Sequence, residues 1–85
     1  MRVTMVYVLQ RLAAGSYDLE LNGEVIGSVV RAPVGDHVSW HAELLATDPA
    51  APKPAPFEAA EHAFGTFDEV VRWLEHPEVR NASHP

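Results

Sequence analysis

The chain contains no cysteine, so neither a disulfide bond nor a zinc site built on thiolates can stabilise it. Basic residues are also few: six Lys and Arg stand against twelve Asp and Glu, a formal net charge of −6. Direct binding to nucleic acid needs clustered Lys and Arg, which this composition argues against. There is no apolar run long enough to span a membrane and no pattern of a secretory signal. We therefore expect a cytoplasmic protein that binds neither membranes nor nucleic acid.

The size and composition predict one small folded domain. Of the 85 residues, 47% are hydrophobic, which is enough for a modest core. We assign residues 1–77 to a single α+β domain and residues 78–85 to a flexible polar tail. Within the domain, residues 47–56 form a loop, because four prolines there exclude both a helix and an interior strand. Self-association would bury further surface for so small a core.

A β-hairpin is predicted at the stretch SYDLELNGEVIGSVVR. Its central Asn22-Gly23 suits a type I′ turn, since both residues tolerate the positive φ that the turn requires. A two-residue turn sets Leu19 opposite Ile26, whereas a three-residue turn with Gly23 as a bulge sets Leu19 opposite Val25. The two registers turn opposite faces of the second strand towards the core. We favour the two-residue turn.

Two further strands flank this hairpin. Residues 3–12 are rich in valine and apolar on both faces, which is typical of a strand that is central in a sheet or covered by a partner. Residues 37–45 alternate, with Trp40 and Ala42 on the apolar face and His41 and Glu43 on the polar face. Residues 58–64 fit either a helical turn or a short edge strand.

A helix is predicted from Phe67 to about Glu75, where Pro77 ends it. Thr66 and Glu69 have the spacing of a capping box. The apolar positions repeat with helical spacing and form one stripe that can pack on a sheet: Phe67, Val70, Val71 and Leu74.

We therefore predict an α+β fold in the order β-β-β-β-α, with an antiparallel sheet of about four strands and one C-terminal helix on one face. One short helix cannot cover both faces of such a sheet. Four apolar residues of the first strand and the hairpin would then stay uncovered by the helix and be available to a partner or for self-association: Val6, Val8, Val25 and Val29.

The polar face of the fourth strand carries residue types that metal and catalytic sites use. Neighbours on one face of a strand lie ~6.6 Å apart, which is too far for a direct bond between Ser39 and a flanking histidine. His41 and Glu43 could share a zinc ion with His62, but no compact ligand motif supports this, and a solvated polar face explains the same residues. We assign no catalytic residue, cofactor or metal ligand, and we expect a protein that is not an enzyme.

A partner-binding surface is predicted around the helix. Trp73 lies beside the apolar stripe, and a half-exposed tryptophan is a frequent interface anchor. Six acidic residues cluster after Phe57 in the sequence: Glu58, Glu61, Asp68, Glu69, Glu75 and Glu78. We assign the first four of them to this surface. The alternatives are that Trp73 seals the margin of the core and that the carboxylates form a solvated helix face.

Four segments in order carry a resemblance to known proteins: GSYDLELNGEVIGSVVR, WHAELL, PF and FGTFDEVVRWL. They resemble small uncharacterised proteins of bacteria and their mobile elements, which combine a β-meander ending in a Trp-Ala strand with a Thr-capped helix ending in Trp-Leu. The resemblance implies a fold and no activity. Strand–strand–strand–helix modules also occur in antitoxins and in phage-borne inhibitors of bacterial defence. This chain lacks the DNA-binding extension and the basic patch of a typical autoregulatory antitoxin.

Two functions follow as hypotheses. The first is a non-enzymatic small binding protein, whose partner is another protein or a second copy of the chain. The alternative is an acidic phage-type inhibitor, anti-CRISPR-like or directed at another defence system. Such an inhibitor would block a nucleic-acid-binding complex by presenting carboxylates to its basic surface.

Overall fold

The computed structural model of the protein describes residues 6–45 and 52–81. Those parts of the predicted first strand, proline-rich loop and tail that fall in 1–5, 46–51 and 82–85 lie outside the described residues. The elements, in chain order, are β1 (Tyr7–Ala13), β2 (Ser16–Leu21), β3 (Glu24–Val34), β4 (His37–Leu44), β5 (Glu61–Phe64), α1 (Phe67–Trp73) and β6 (Glu78–Asn81).

The strands form one six-stranded sheet in the order β5-β4-β3-β2-β1-β6. Neighbours pair antiparallel except β1 and β6, which pair in parallel. The predicted α+β class is confirmed, but the sheet has six strands where about four were predicted, and it is mixed. The two additional strands, β5 and β6, have four residues each, which is too short for alternation of apolar and polar residues to reveal them.

The two short strands, β5 and β6, are the edge strands of the sheet. Residues 58–64 were compatible with a helical turn or an edge strand, and Glu61–Phe64 form the edge strand β5 beside β4. The assignment of residues 78–85 to a tail is corrected over Glu78–Asn81, which pair with β1. With β2 on one side and β6 on the other, β1 lies inside the sheet, which agrees with its apolar residues on both faces.

The Asn22-Gly23 turn joins β2 and β3 with two residues, because Leu21 pairs with Glu24. Asn22 and Gly23 have φ values of 52° and 88°, as a type I′ turn requires. Asn22 also ties the turn to the start of β1: its Oδ1 accepts from the Val6 N–H at 3.0 Å, and its N–H donates to the Val6 carbonyl at 2.9 Å.

A β-bulge in β3 changes the register beyond this turn. Leu19 pairs with Gly27, so neither Ile26 nor Val25 lies opposite it as the two registers predicted. Ile26 is the extra residue, and one extra residue reverses the faces of all later side chains. Val29 therefore points into the core and is fully buried, which corrects the expectation that it is left over for a partner.

The core lies between the sheet and α1, on what we call the covered face. Three aromatic rings pack together at one side of it. Phe67 stacks on Tyr17 with ring centroids 4.9 Å apart, and Trp40 is tilted against Phe67 at 5.0 Å. Phe57, which follows the proline-rich loop, packs into this core and is 5% exposed. The buried residues of this face are Tyr7, Leu9, Leu19, Val29, Ala42, Phe57, Val70 and Leu74.

Tyr7 fastens the segment before β5 to the sheet. Its hydroxyl donates to the carbonyl oxygen of Ala55 at 2.6 Å. Burial raises the pKa of Tyr7 above its ordinary value, because the phenolate would be poorly solvated.

The N-terminus of α1 is capped as predicted, with one difference. The Thr66 hydroxyl accepts from the Glu69 N–H at 3.1 Å. The Glu69 carboxylate reaches back to the N–H of Gly65 at 2.8 Å, and not to that of Thr66 as in a standard capping box. The first bond satisfies a backbone donor that the first helical turn leaves free, and the second satisfies the N–H of the residue before the N-cap.

α1 ends at Trp73, two residues before the predicted end, and a Schellman motif closes its C-terminus. The Glu75 N–H donates to the carbonyl of Arg72 at 3.0 Å, and the His76 N–H donates to that of Val71 at 2.8 Å. Glu75 and His76 have φ values of 62° and 61°, a region that usually favours glycine.

Candidate protein-binding face

The face of the sheet opposite α1, which we call the open face, carries a different set of side chains from the covered face. In β4, for example, Ala42 is fully buried on the covered face, while the next residue, Glu43, is exposed on the open face. Following the strand registers, the open-face residues include Val8 and Gln10 (β1), Asp18 and Glu20 (β2), Val25, Ser28 and Val30 (β3), Ser39, His41 and Glu43 (β4), Glu61 and Ala63 (β5), and Glu78 and Arg80 (β6).

One row of carboxylates crosses four strands of this face. Asp18 pairs with Ser28, Ser28 with Glu43, and Glu43 with Glu61. Because neighbouring strands are ~4.8 Å apart, Glu43 and Glu61 are adjacent, while Asp18 and Glu43 lie ~10 Å apart with the small Ser28 between them. Like charges directly opposite each other are destabilising, so this row has an unfavourable electrostatic energy in the isolated protein.

His41 offsets part of that repulsion. Its Nδ1 lies 2.7 Å from Oε2 of Glu61, in a partly exposed pair. A protonated imidazole forms an ion pair there, and the neutral tautomer with a proton on Nδ1 donates a hydrogen bond.

A second row lies on the other half of the open face. Val8 pairs with Glu20 on one side and with Glu78 on the other. Arg80 binds Glu78 through two hydrogen bonds, Nε to Oε2 at 2.7 Å and a terminal nitrogen to Oε1 at 2.9 Å. The hydrogen bond from Arg80 lowers the pKa of Glu78, and the positive charge of Arg80 lowers it further.

Two valines are exposed at the end of this face near the Asn22-Gly23 turn. Val6 is 51% and Val25 is 41% exposed, while Val8 beside them is only 6% exposed. Of the four valines predicted to be available to a partner, three lie at this end, which we call the valine corner (Val6, Val8 and Val25), and Val29 lies in the core. Of the three, Val6 and Val25 expose apolar surface, whereas the burial of Val8 corrects the expectation that it is available to a partner.

The structure divides the predicted partner-binding residues between the two faces. Glu61 lies on the open face, where it pairs with His41. Asp68 and Glu69 lie in the first turn of α1, on the covered side, and the N–H of Glu58 donates to His62 on that same side; all three carboxylates are exposed. These four carboxylates do not form one continuous surface.

Trp73 packs against the buried ring of Phe57 and the partly buried rings of Phe64 and His62. Its ring centroid lies 4.7 Å from that of Phe57, and 4.9 Å from those of Phe64 and His62. This packing favours the alternative that Trp73 seals the margin of the core.

His62 has a structural role on the covered face. Its Nε2 accepts from the N–H groups of Glu58 and Ala59, at 3.1 and 3.2 Å. The zinc set considered from the sequence is also split, because His62 pairs with Ala42 on the covered face while His41 and Glu43 lie on the open face. Among the described residues, no three His, Asp or Glu side chains are grouped so that they could hold a metal ion.

The predicted partner-binding set did not include four carboxylates that lie on the open face: Asp18, Glu20, Glu43 and Glu78. Alternation shows that Asp18 and Glu20 share a face of one strand. Their position relative to Glu43 and Glu61 depends on the bulge in β3, and the position of Glu78 depends on β6. The sequence shows each of these acidic residues, but it does not show that the sheet brings them to one face.

No protein-family model, curated protein or solved structure significantly matches the chain. The resemblance to small proteins of bacteria and mobile elements stays a hypothesis. Within residues 6–45 and 52–81, no helix has the length and apolar composition needed to cross a membrane.

Proposed function

We propose that this chain is a small, non-enzymatic binding protein and that it binds another protein through the open face. The observation that carries the proposal is the asymmetry of the sheet: α1 packs on one face, while the other exposes charged groups next to the valine corner. Protein interfaces combine apolar contacts with a polar and charged surround, and exposed valines beside charged rows provide both.

The size of the open face supports the same conclusion. Six strands spaced by ~4.8 Å span about 24 Å, and six residues along a strand span about 20 Å. The flat area is therefore roughly 500 Å², to which protruding side chains add. A standard interface buries about 800 Å² on each partner, so the open face can supply most of one.

The test is affinity capture from the cells that produce the chain, with three baits. Ser28→Arg places a bulky side chain at the centre of the open face, and Glu58→Arg is the control on the covered side. We expect wild type and Glu58→Arg to retain a common partner that Ser28→Arg loses. Thermal unfolding of each bait checks that it is folded. Retention by Ser28→Arg together with loss by Glu58→Arg would place the binding surface on the covered side and refute the proposal.

The carboxylate rows favour a second candidate, the acidic inhibitor of a nucleic-acid-binding protein. This candidate requires that nucleic acid and the chain compete for one surface of the partner. Adding duplex DNA or RNA to the captured complex should then release the partner. If neither DNA nor RNA releases the partner, the inhibitor hypothesis is refuted, and the general binding function still stands.

A further inference from the structure

We infer that the open face binds a basic protein surface, with its carboxylate rows facing arginine and lysine side chains and the valine corner contacting an apolar side chain. The inference rests on the proposed function and names the chemistry of the partner.

The charges of the described residues are distributed unevenly between the two sides. The open face carries five carboxylates and one guanidinium: Asp18, Glu20, Glu43, Glu61, Glu78 and Arg80. The single guanidinium is already bound to Glu78. The covered side instead mixes Arg11, Arg31 and Arg72 with carboxylates at α1 and before β5. A positively charged partner is therefore attracted to one side of the molecule.

The geometry of the row fits arginine in particular. A guanidinium presents five N–H donors in a planar fork and can bind two carboxylates at once. Glu43 and Glu61 lie on adjacent strands, and His41 contacts Oε2 of Glu61. A guanidinium between the two residues would bind Glu43 and the other oxygen of Glu61, and would replace the remaining repulsion with two charge-assisted hydrogen bonds. Between Asp18 and Glu43, the small side chain of Ser28 leaves room for a second cationic side chain to approach the sheet.

The valine corner adds an element that charge alone does not provide. Val6 and Val25 are about half exposed beside Glu20, so an apolar side chain of the partner would bury them while its cations face the carboxylates. A basic surface with one apolar contact at its border matches this arrangement.

The experiment measures the affinity of a fluorescent arginine-rich peptide by anisotropy, using two triple variants that each remove three negative charges. The open-face variant is Asp18→Asn, Glu43→Gln, Glu61→Gln. The matched control, on the covered side, is Glu58→Gln, Asp68→Asn, Glu69→Gln. We expect the open-face variant to weaken binding roughly tenfold, from three exposed ion pairs of ordinary strength, and the control to weaken it less than about twofold. Equal losses would show attraction by net charge alone and would overturn the inference.

Capture of the natural partner separates failure of this inference from failure of the proposed function. If the open-face triple variant keeps a partner that Ser28→Arg loses, the face binds the partner but the basic chemistry is wrong. If neither change affects capture, the proposed function itself is wrong. Loss of the partner with both variants, and with the covered-side control intact, supports both.

Discussion

The two faces of this sheet are formed by the same strands but carry different side chains: apolar and buried on the covered face, largely polar and charged on the open face. On the covered face, Leu9, Leu19 and Val29 are fully buried beneath α1 and the segment that precedes β5. On the open face, neighbouring positions of the same strands hold carboxylates, a histidine and an arginine. Alternation along a strand divides its residues into two sets, but the position of α1 and the register of β3 determine which set is buried.

The valines of β3 show the difference most directly. Val25 precedes the bulge and is 41% exposed, whereas Val29 follows it and is fully buried. An unbroken strand would place these two residues, four apart, on the same face. The bulge separates them, so one residue type occupies both environments within one strand.

Val29→Ala is the largest expected effect and the most direct test of the two faces. Removing two buried methyl groups and leaving a cavity should lower the free energy of unfolding by about 2.5 kcal/mol. Val25→Ala is the matched control and should change it by less than about 0.5 kcal/mol. Urea denaturation of both variants measures the difference. Equal losses of stability would show that both valines are in the same environment and would contradict the bulge in β3.

Gly27→Ala is expected to have the next largest effect. A Cβ at Gly27 would overlap the backbone carbonyl oxygen of Glu43 and lie 3.1 Å from the Cα of Leu44, so β3 and β4 would have to separate. We expect a loss of about 2 kcal/mol in chemical denaturation. Ser28→Ala, the next residue along on the open face, should cost less than about 0.5 kcal/mol. If Gly27→Ala is as stable as wild type, β3 and β4 do not approach this closely.

Glu75→Gly should stabilise α1, the helix that packs on the covered face and is absent from the open face. Residue 75 adopts a left-handed φ, which costs a non-glycine residue about 1 kcal/mol. Glycine should recover about that amount, seen as a higher midpoint of thermal unfolding. Glu75→Ala removes the same carboxylate while keeping Cβ, so its stability should stay near that of wild type. A gain shared by both variants would assign the effect to the charge of Glu75.

The smallest effect concerns pH on the open face. Because the pKa of Glu78 is lowered in the folded protein, its ionised form contributes stability above the unfolded pKa, and this is lost as the pH falls through the folded pKa. Arg80→Gln should raise the pKa of Glu78 towards its ordinary value, as measured by NMR titration of the carboxyl carbon. The control is Arg72→Gln, which removes a guanidinium from α1. An equal rise in both variants would show a general charge effect without a specific Arg80–Glu78 pair.

Local sequence signals predicted most of the covered face. Asn22-Gly23 gave the turn, alternation around Trp40 gave β4, and Thr66 with Glu69 gave the start of α1. Each signal lies within a few residues, where backbone conformation and capping decide the outcome.

The open face was less predictable because it depends on distant pairings. Glu61 was identified as a candidate, but its neighbour Glu43 becomes part of the same row only when β5 pairs with β4. The extra residue in β3 could not be anticipated, since a bulge of one residue leaves a strand pattern that also fits simpler registers. Glu78 lay in a segment too short and too polar to predict as a strand.

The parallel pairing of β6 with β1 has a consequence for how the chain is made. Leu9 pairs with Val79, so β1 is synthesised long before the strand that completes its outer side. Contacts between such distant segments form slowly, because the chain must first close a long loop. Until then the outer edge of β1, with its unpaired N–H and C=O groups, can pair with other strands. The period between the synthesis of β1 and that of β6 is therefore when we expect the nascent chain to be most prone to aggregation.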